Sequence, residues 1–432
     1  MQTFDVRNFG CRATQADGSA LAAQLQERGL SNSHTGADLV ILNTCTVTAT
    51  ADHDVHKAVN RVRRENPLAR ILITGCYAQR APEQLAALPG VEWVVGNSHK
   101  TLIPEIVLGS SYHGNIHVGD LGQRTEFLSA PILDAGLDRT RPNLKIQDGC
   151  NNRCSFCIIP SVRGPSRSAT PEWVIEQTRR LAADYREVVL TGINLGRWGR
   201  DFDSGRPIGR MRLADLLRRM LAETPIERLR LSSVEPMDFS GDLLELMAST
   251  PRIARHVHAP LQSGSDTVLR RMYRKYRPRH YEDRLRRARE LMPDAAIGAD
   301  VMVGFPGETE AEFAETHAFI SALPFTYLHV FTYSERPGTR ATELAGAVPM
   351  EMRKERNRVL RELAAAKNLA FRSSLVGRSL SVVTLEGARA LSSNYVTVEL
   401  ARPLPANELR EVRIGGVTPQ GLAEAGALTV LS

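Results

Sequence analysis

The sequence predicts an α/β protein in three parts: an N-terminal parallel-sheet domain, a partial barrel of six strand and helix units, and a small C-terminal all-β barrel. Two observations carry the first two parts. Short β-branched runs alternate with helix-like stretches from the start of the chain, the pattern of a parallel sheet, and the alternation restarts with longer units near Leu144. A third observation carries the last part, where a charged, alanine-rich helix gives way to short strands parted by glycine turns.

With 432 residues, of which 42% are apolar, the chain is too long for one core and well supplied for two or three. The boundaries are expected at residues 1–125, 140–368 and 372–432. No run approaches the roughly 20 uninterrupted apolar residues of a spanning helix. MQTFDVRNFGCR lacks a basic start followed by an apolar stretch, so a cytoplasmic protein without a membrane partner is expected; separately, a monomer is expected.

In the first part, TFDVRNFGC, ADLVILNTC and ARILITGC are the expected strands, and each ends at a cysteine. SALAAQLQERG and HDVHKAVNRVRREN are the helices between them. Ligands sit beyond the carboxyl ends of strands in open parallel sheets, so Cys11, Cys45 and Cys76 would gather at one edge. Three unrelated buried cysteines are the alternative.

In the second part the strands are LKIQDG, EVVLTGIN, RLRLSSVE, HVHAPLQS, AIGADVMVGF and YLHVFTYS, too few for a closed eight-stranded barrel. Leu213, Leu216, Leu217, Met220 and Leu221 have the spacing of one buried helix face. Thr170 and Pro171 form an N-cap and first-turn pair. Polar residues cluster where the strands end, at Asp148, Thr191, Asn194, Ser232, Ser233, Glu235, Gln262, Ser263 and Asp300, and the strand ends of barrels form the active face. His258, flanked by apolar residues, is expected to pack inside the barrel. In the third part SLSVVTLEG, NYVTVELA and EVRIGGVTPQGL are the strands, and six Arg against five Asp or Glu leave the module near neutral.

All six cysteines fall within the first 157 residues, and in a reducing compartment metal binding or catalysis is the better reading of them than disulfides. Cys150, Cys154 and Cys157 have C-x-x-x-C-x-x-C spacing with no fourth cysteine downstream. Three thiolates leave one iron of a 4Fe-4S cluster open to a ligand, whereas structural zinc would need a fourth, distant histidine.

With Phe156 before its last cysteine, this motif resembles that of the radical S-adenosylmethionine superfamily. The resemblance implies that the open iron binds the amino and carboxylate groups of S-adenosylmethionine, whose reductive cleavage yields a 5′-deoxyadenosyl radical. It narrows with the three strand-end cysteines, the partial barrel and a C-terminal barrel of TRAM type, an order that resembles the methylthiotransferases. The stretches that match are FGCR, ILNTCTVT, TGCYAQ, KIQDGCNNRCSFCIIPSVRGPSRS, TGINLGRWGRD, HAPLQSGSDTVLRRMYRKY, ADVMVGFPGETEAEF and HVFTYSERPGT. The resemblance implies two 4Fe-4S clusters, the second held by Cys11, Cys45 and Cys76 and carrying the sulfur to be inserted.

Within that family three targets compete: isopentenyladenosine in tRNA, threonylcarbamoyladenosine in tRNA, and an aspartate of a ribosomal protein. GCR at Cys11 and the stretch from His258 to Tyr276 most resemble the threonylcarbamoyladenosine enzymes, implying insertion at carbon 2 of the base at position 37, next to the anticodon. Ala13 departs from that pattern, where an asparagine is expected.

By strand position, the resemblance places Phe156 against the adenine of the cosubstrate and Thr191, Gly192 and Asn194 near its amine. Ser233 and Glu235 are candidates for its ribose or carboxylate. The net charge of +7 suits a polyanionic partner without requiring one. RRMYRKYRPRH holds six Arg or Lys among eleven residues, so Arg270, Arg271, Arg274 and Lys275 could track tRNA phosphates with Tyr273 and Tyr276 as stacking faces, or form a solvated helix surface over core tyrosines. Arg163 and Arg167 could bind the cosubstrate carboxylate or an RNA phosphate.

Overall fold

The computed structural model describes residues 1–109, 112–122, 140–203 and 210–426. The expected boundary at residue 125 and the end of the last segment, 427–432, lie outside them.

The N-terminal residues form a six-stranded sheet that is parallel throughout, in the order Ser31–Asn32, Thr3–Asn8, Leu39–Thr44, Arg70–Gly75, Val91–Gly96, Ile116–His117. Leu39–Thr44 is buried at every position, as befits a central strand covered on both faces. The helix Ala49–Glu65 covers one face with Val55, Val59 and Val62, and is capped by Thr48, whose side chain accepts from the Ala51 amide at 3.2 Å. Arg12–Glu27 covers the other face with Leu21 and Leu25, and also lies against the strands Asn143–Asp148 and Glu187–Gly192 of the second unit.

All six expected barrel strands are present. Arg228–Leu231, Glu187–Gly192 and Asn143–Asp148 pair in parallel, as do His256–His258, Ala296–Val303 and Tyr327–Thr332. Backbone bonds join the two sets, among them Val234 N–H to His258 O at 3.0 Å. Among the described residues the first and last of these strands do not pair, so the barrel is open. HVHAPLQS is shorter as a strand than expected: it ends at His258, and a single bridge resumes at Gln262. An unexpected two-residue strand, Arg167–Ser168, runs antiparallel to the end of Asn143–Asp148, because the cysteine loop folds straight back on its own strand. The helix Leu213–Glu223 buries Leu213, Leu216, Leu217 and Met220 as its periodicity requires, and Thr170 caps Pro171–Asp184.

After the 25-residue helix Met350–Ser374 the chain closes into a five-stranded barrel in the order Ser379–Leu385, Arg389–Ser392, Thr397–Glu399, Leu422–Glu424, Leu409–Val417. This barrel is fastened to the second unit through charge. Arg230 Nη1 donates to Ser393 O and Nη2 to Ser392 O, both at 3.0 Å, while Arg228 Nη2 reaches Ser381 Oγ at 2.7 Å. Glu187 anchors both arginines and Arg141. Burial alone would raise its carboxyl, but Arg230, Arg141 and Arg228 overcome this and hold it down at about 2.

A carboxyl held low stabilises the fold fully above its usual value of 4.5 and loses that contribution as pH falls toward 2. Glu187→Gln leaves buried arginines unpaired and should cost about 3–5 kcal/mol at pH 7. In thermal melting, the gap between wild type and variant should narrow as pH is lowered from 4.5 toward 2; a gap that stays constant would show that Glu187 is not ionised there.

Candidate functional site

Three strand ends deliver the first cysteine set. Cys11 follows Thr3–Asn8, Cys45 follows Leu39–Thr44, and Cys76 begins the short helix after Arg70–Gly75. They converge closely. Gly10 lies at φ +117°, and a Cβ there would stand 2.4 Å from Cys45 Cβ, so only glycine lets the Cys11 loop approach. Burial raises the Cys45 thiol to about 12, with Cys76 and Cys11 adding to the rise.

Cys150, Cys154 and Cys157 lie on the loop after Asn143–Asp148, which starts at Gly149 with φ +68°; a Cβ at that position would sit 2.0 Å from Pro165 O. Burial, then the neighbouring Cys154, lifts Cys157 to about 12. None of the six cysteines is in a disulfide. Burial disfavours the thiolate at Cys45 and Cys157, so metal ligation there must displace a proton. Soft thiolate sets of three suit an iron–sulfur cluster with one iron left open.

Each set receives one buried arginine. Arg163 Nε donates to Cys76 Sγ at 3.3 Å, and Arg274 Nη1 donates to Cys154 Sγ at 3.2 Å. Asn97 Nδ2 also reaches Cys76 at 3.6 Å, and Asn194 Nδ2 reaches Cys150 at 3.6 Å. Hydrogen bonds to cluster sulfurs of this kind adjust reduction potential.

Arg163 belongs to a larger buried network. Its Nη2 meets Asp17 at 3.0 Å and its Nη1 meets Asp148 at 3.0 Å, Lys145 bonds both carboxylates, Lys100 Nζ lies 3.3 Å from Asp17, and Arg167 Nη2 lies 3.1 Å from Asp148. Burial alone would raise both carboxyls, but the surrounding cations hold them well below the carboxylate range. Cations outnumber carboxylates four to two in this network, and an excess of buried positive charge calls for anionic neighbours. The sulfur of Cys76, which Arg163 Nε meets at 3.3 Å, faces that excess charge.

A cavity of about 400 Å³ opens beside Cys11 and is lined by Thr191 and Gly192, two residues before Asn194, whose Nδ2 reaches Cys150. Cys11, Arg12 and Ala13 form one wall, and Thr191, Gly192, Ser232 and Ser233 another. The barrel interior supplies His256, His258, Asp300, Tyr327, His329 and Phe331, and Tyr395 reaches in from the C-terminal barrel. Asp300 Oδ1 is 3.2 Å from His258 Nε2 and 3.1 Å from His329 Nδ1, while Tyr327 Oη bonds His258 Nδ1 at 2.8 Å and His256 Nε2 at 2.7 Å. His258 is thus inside the barrel as expected, and it is also part of a polar wall. The donors His258, Asp300 and His329 are close enough together to share a metal ion. Ser232 Oγ on the cavity wall and Asn194 Oδ1 beside Cys150 are buried without a hydrogen-bond partner, so the site fits a polar cosubstrate that would supply one.

Of the other sequence-predicted residues, Thr191, Gly192 and Ser233 line the cavity. Phe156 is half-buried and packs edge-on to Phe305 at 6.5 Å. Glu235 lies near Cys154 and is held by Arg274 at 2.5 Å. The expectation that Arg163, Arg167 and Arg274 could meet RNA phosphates is corrected here. Their side chains are only 2%, 6% and 5% exposed, and each guanidinium is taken up by buried carboxylates, sulfurs or carbonyls. Tyr276 is likewise a core residue, bonding Pro260 O and Leu261 O, whereas Tyr273 and Lys275 are exposed. Arg270 is exposed and bonds Asp266, and Arg271 is clamped by Glu312.

Asp17, Lys100, Lys145 and Tyr395 escaped the sequence reading. Asp17 had a signal: it lies between Ala13 and Leu21 on the buried face of its helix, where a carboxylate needs a partner.

The cysteine motif on the loop after the first barrel strand, with a cavity at the strand ends, defines a radical S-adenosylmethionine protein, and the model of that superfamily matches residues 144–320. The family holds a 4Fe-4S cluster and S-adenosylmethionine, and the donor set of Cys150, Cys154 and Cys157 fits both. A solved radical S-adenosylmethionine methyltransferase, TsrM from Kitasatospora setae, shares the fold at a TM-score of 0.56 and 16% identity over 79% of this chain and 77% of its own. More narrowly, the chain belongs to the radical S-adenosylmethionine methylthiotransferases. It is 37% identical to the threonylcarbamoyladenosine tRNA methylthiotransferase MtaB of Aquifex aeolicus over 90% of this chain and 95% of the relative. It is 35% identical to the tRNA-2-methylthio-N(6)-dimethylallyladenosine synthase of Mycobacterium avium over 90% of this chain and 55% of that one. Residues 3–96 match the family model described as "Uncharacterized protein family UPF0004".

Asp17→Ala should leave Lys100, Lys145 and Arg163 with too little negative charge and cost about 3–5 kcal/mol, read as a lowered melting temperature. Asp17→Ala with Lys100→Met should recover part of the loss. No recovery would mean that charge balance is not what Asp17 provides.

Proposed function

We propose that the protein is a tRNA methylthiotransferase that inserts a methylthio group at carbon 2 of threonylcarbamoyladenosine at position 37, next to the anticodon. The observation that carries this reading is a single cavity walled on one side by Cys11 and on the other by Thr191 and Gly192, two residues before Asn194 and its bond to Cys150. A base placed there lies between a site that can generate a radical and a site that can deliver sulfur. The curated MtaB relatives, matched over nearly their whole length, favour threonylcarbamoyladenosine over the dimethylallyl substrate.

In this reading Cys150, Cys154 and Cys157 hold the cluster that binds S-adenosylmethionine, and Cys11, Cys45 and Cys76 hold a second. When bound, these groups supply the radical that opens an unactivated aryl C–H bond and the sulfur that replaces the hydrogen. The chain's own residues do the rest. Arg163 and Arg274 each set a buried cation against one sulfur of a set, Cys76 and Cys154. Thr191, Gly192, Asn194, Ser233 and Glu235 orient the cosubstrate, and Phe156 backs it. Residues 1–125, 140–368 and 372–432 act as the sulfur-delivery domain, the radical core and a TRAM-like barrel.

For the RNA itself, a second cavity of about 410 Å³ between the core and the C-terminal barrel is lined by Arg12, Arg141 and Arg389 against the single carboxylate Glu386. It supplies the cationic path that the buried arginines cannot, and with Arg270 and Lys275 it would follow phosphates.

Two variants separate the sites. Cys154→Ala should abolish 5′-deoxyadenosine formation. Cys45→Ala should retain it while methylthio insertion, read by nucleoside mass spectrometry of threonylcarbamoylated tRNA, drops to background. Insertion by Cys45→Ala at the wild-type rate would remove the second cluster from the reaction, and insertion into isopentenyladenosine alone would reassign the substrate.

A further inference from the structure

Arg12 is an unusual residue in this cavity. It follows Cys11 directly, lines both cavities, and has no carboxylate partner among the described residues. One arm is fixed: Nη2 donates to Tyr395 Oη at 3.0 Å. The other arm, Nη1, is buried and has no hydrogen-bond partner. A guanidinium nitrogen without a partner is costly unless a ligand completes it, and a planar fork beside a fixed anchor suits a carboxylate.

Tyr395 is itself held firmly. It sits at φ +61°, stacks on His256 with ring centres 4.3 Å apart, and follows Ser392 and Ser393, whose carbonyls accept from buried Arg230. The anchor for Arg12 therefore comes from the C-terminal barrel and is rigid.

The chemistry of the base gives the position meaning. Carbon 2 and the N6 substituent of adenine lie on the same edge, with only N1 between carbon 2 and the carbon bearing N6. A group that reads the N6 substituent must therefore stand beside the group that delivers sulfur to carbon 2. Arg12 is the chain neighbour of Cys11. Of the competing tRNA substituents, threonylcarbamoyl ends in a carboxylate and isopentenyl is a hydrocarbon.

We infer that Arg12, oriented by Tyr395, binds the carboxylate of the threonylcarbamoyl group and is the residue by which this protein selects an anionic N6 substituent. The inference rests on the function proposed above. Its weight lies in one geometric fact: the unpartnered donor, the sulfur-delivery cysteine and the cavity meet at consecutive residues. An isopentenyl group would leave Arg12 Nη1 unsatisfied, so the same residue that favours one substrate penalises the other.

The test uses the full-length reconstituted protein and two anticodon stem-loops, one carrying threonylcarbamoyladenosine and one carrying its threonine methyl ester. Wild type should bind the acid roughly 10- to 100-fold more tightly than the ester by fluorescence anisotropy, as expected for a charge-assisted hydrogen bond, with a matching split in KM. Arg12→Gln should bring that ratio close to one. Arg12→Lys should retain a reduced ratio, and Tyr395→Phe, which removes only the anchoring hydroxyl, should lower it as well. A ratio unchanged in Arg12→Gln and Tyr395→Phe would overturn the inference, as would a wild type that methylthiolates the acid and the ester with equal KM. Should the wild type convert an isopentenyladenosine stem-loop and leave the threonylcarbamoyl one untouched, the function itself falls, an outcome distinct from the other two.

Discussion

The arrangement depends on the buried ion cluster around Asp17 and Asp148. Asp17 belongs to the helix that starts beside Cys11, and Asp148 ends the strand that leads into the other cysteine loop. Arg163 and Lys145 each contact both carboxylates, so they tie the two cysteine sets to one rigid point. Buried ion pairs are poor contributors to net stability because desolvation offsets their attraction. Their value here is positional: Arg163 and Lys145 hold the helix beside Cys11 and the strand before the second cysteine loop in one fixed register, and the surplus cations face the sulfur of Cys76.

Most of the scaffold was legible because it follows from period and spacing. The β-branched runs became strands, and Leu213, Leu216, Leu217 and Met220 became a buried helix face. The cysteines were legible for a related reason. Three strand ends of a parallel sheet must lie at one edge, so Cys11, Cys45 and Cys76 converge without any further information.

What sequence could not deliver was the fate of the arginines. Local composition makes Arg163, Arg167 and Arg274 look like surface charges beside a cofactor loop, yet each is buried: Arg163 and Arg274 find partners far along the chain in Asp17 and Glu235, and Arg167 is turned inward onto Asp148 and the carbonyls of Arg163 and Pro165 by the fold of its own loop. Density of positive charge along a segment says nothing about which side chains turn inward. The brief strand Arg167–Ser168 was missed for a similar reason, because its pairing is set by the tight fold of the cysteine loop and not by its own propensity. Tyr395 was invisible too: nothing in NYVTVELA distinguishes a tyrosine that leaves its own barrel to enter another.

That tyrosine changes what the C-terminal barrel is. A module that only gripped RNA could be exchanged between relatives as an accessory, with affinity as the sole casualty. Here Tyr395 lines the cavity beside Cys11, stacked on His256, while Ser392 and Ser393 just before it are bolted to Arg230. Removing the barrel would strip Tyr395 from the cavity wall and leave Arg230 without the carbonyls of Ser392 and Ser393. The barrel and the core therefore share one wall, and a chimaera that joins one relative's barrel to another's core would have to match Tyr395 to His256 and Arg12 across the seam.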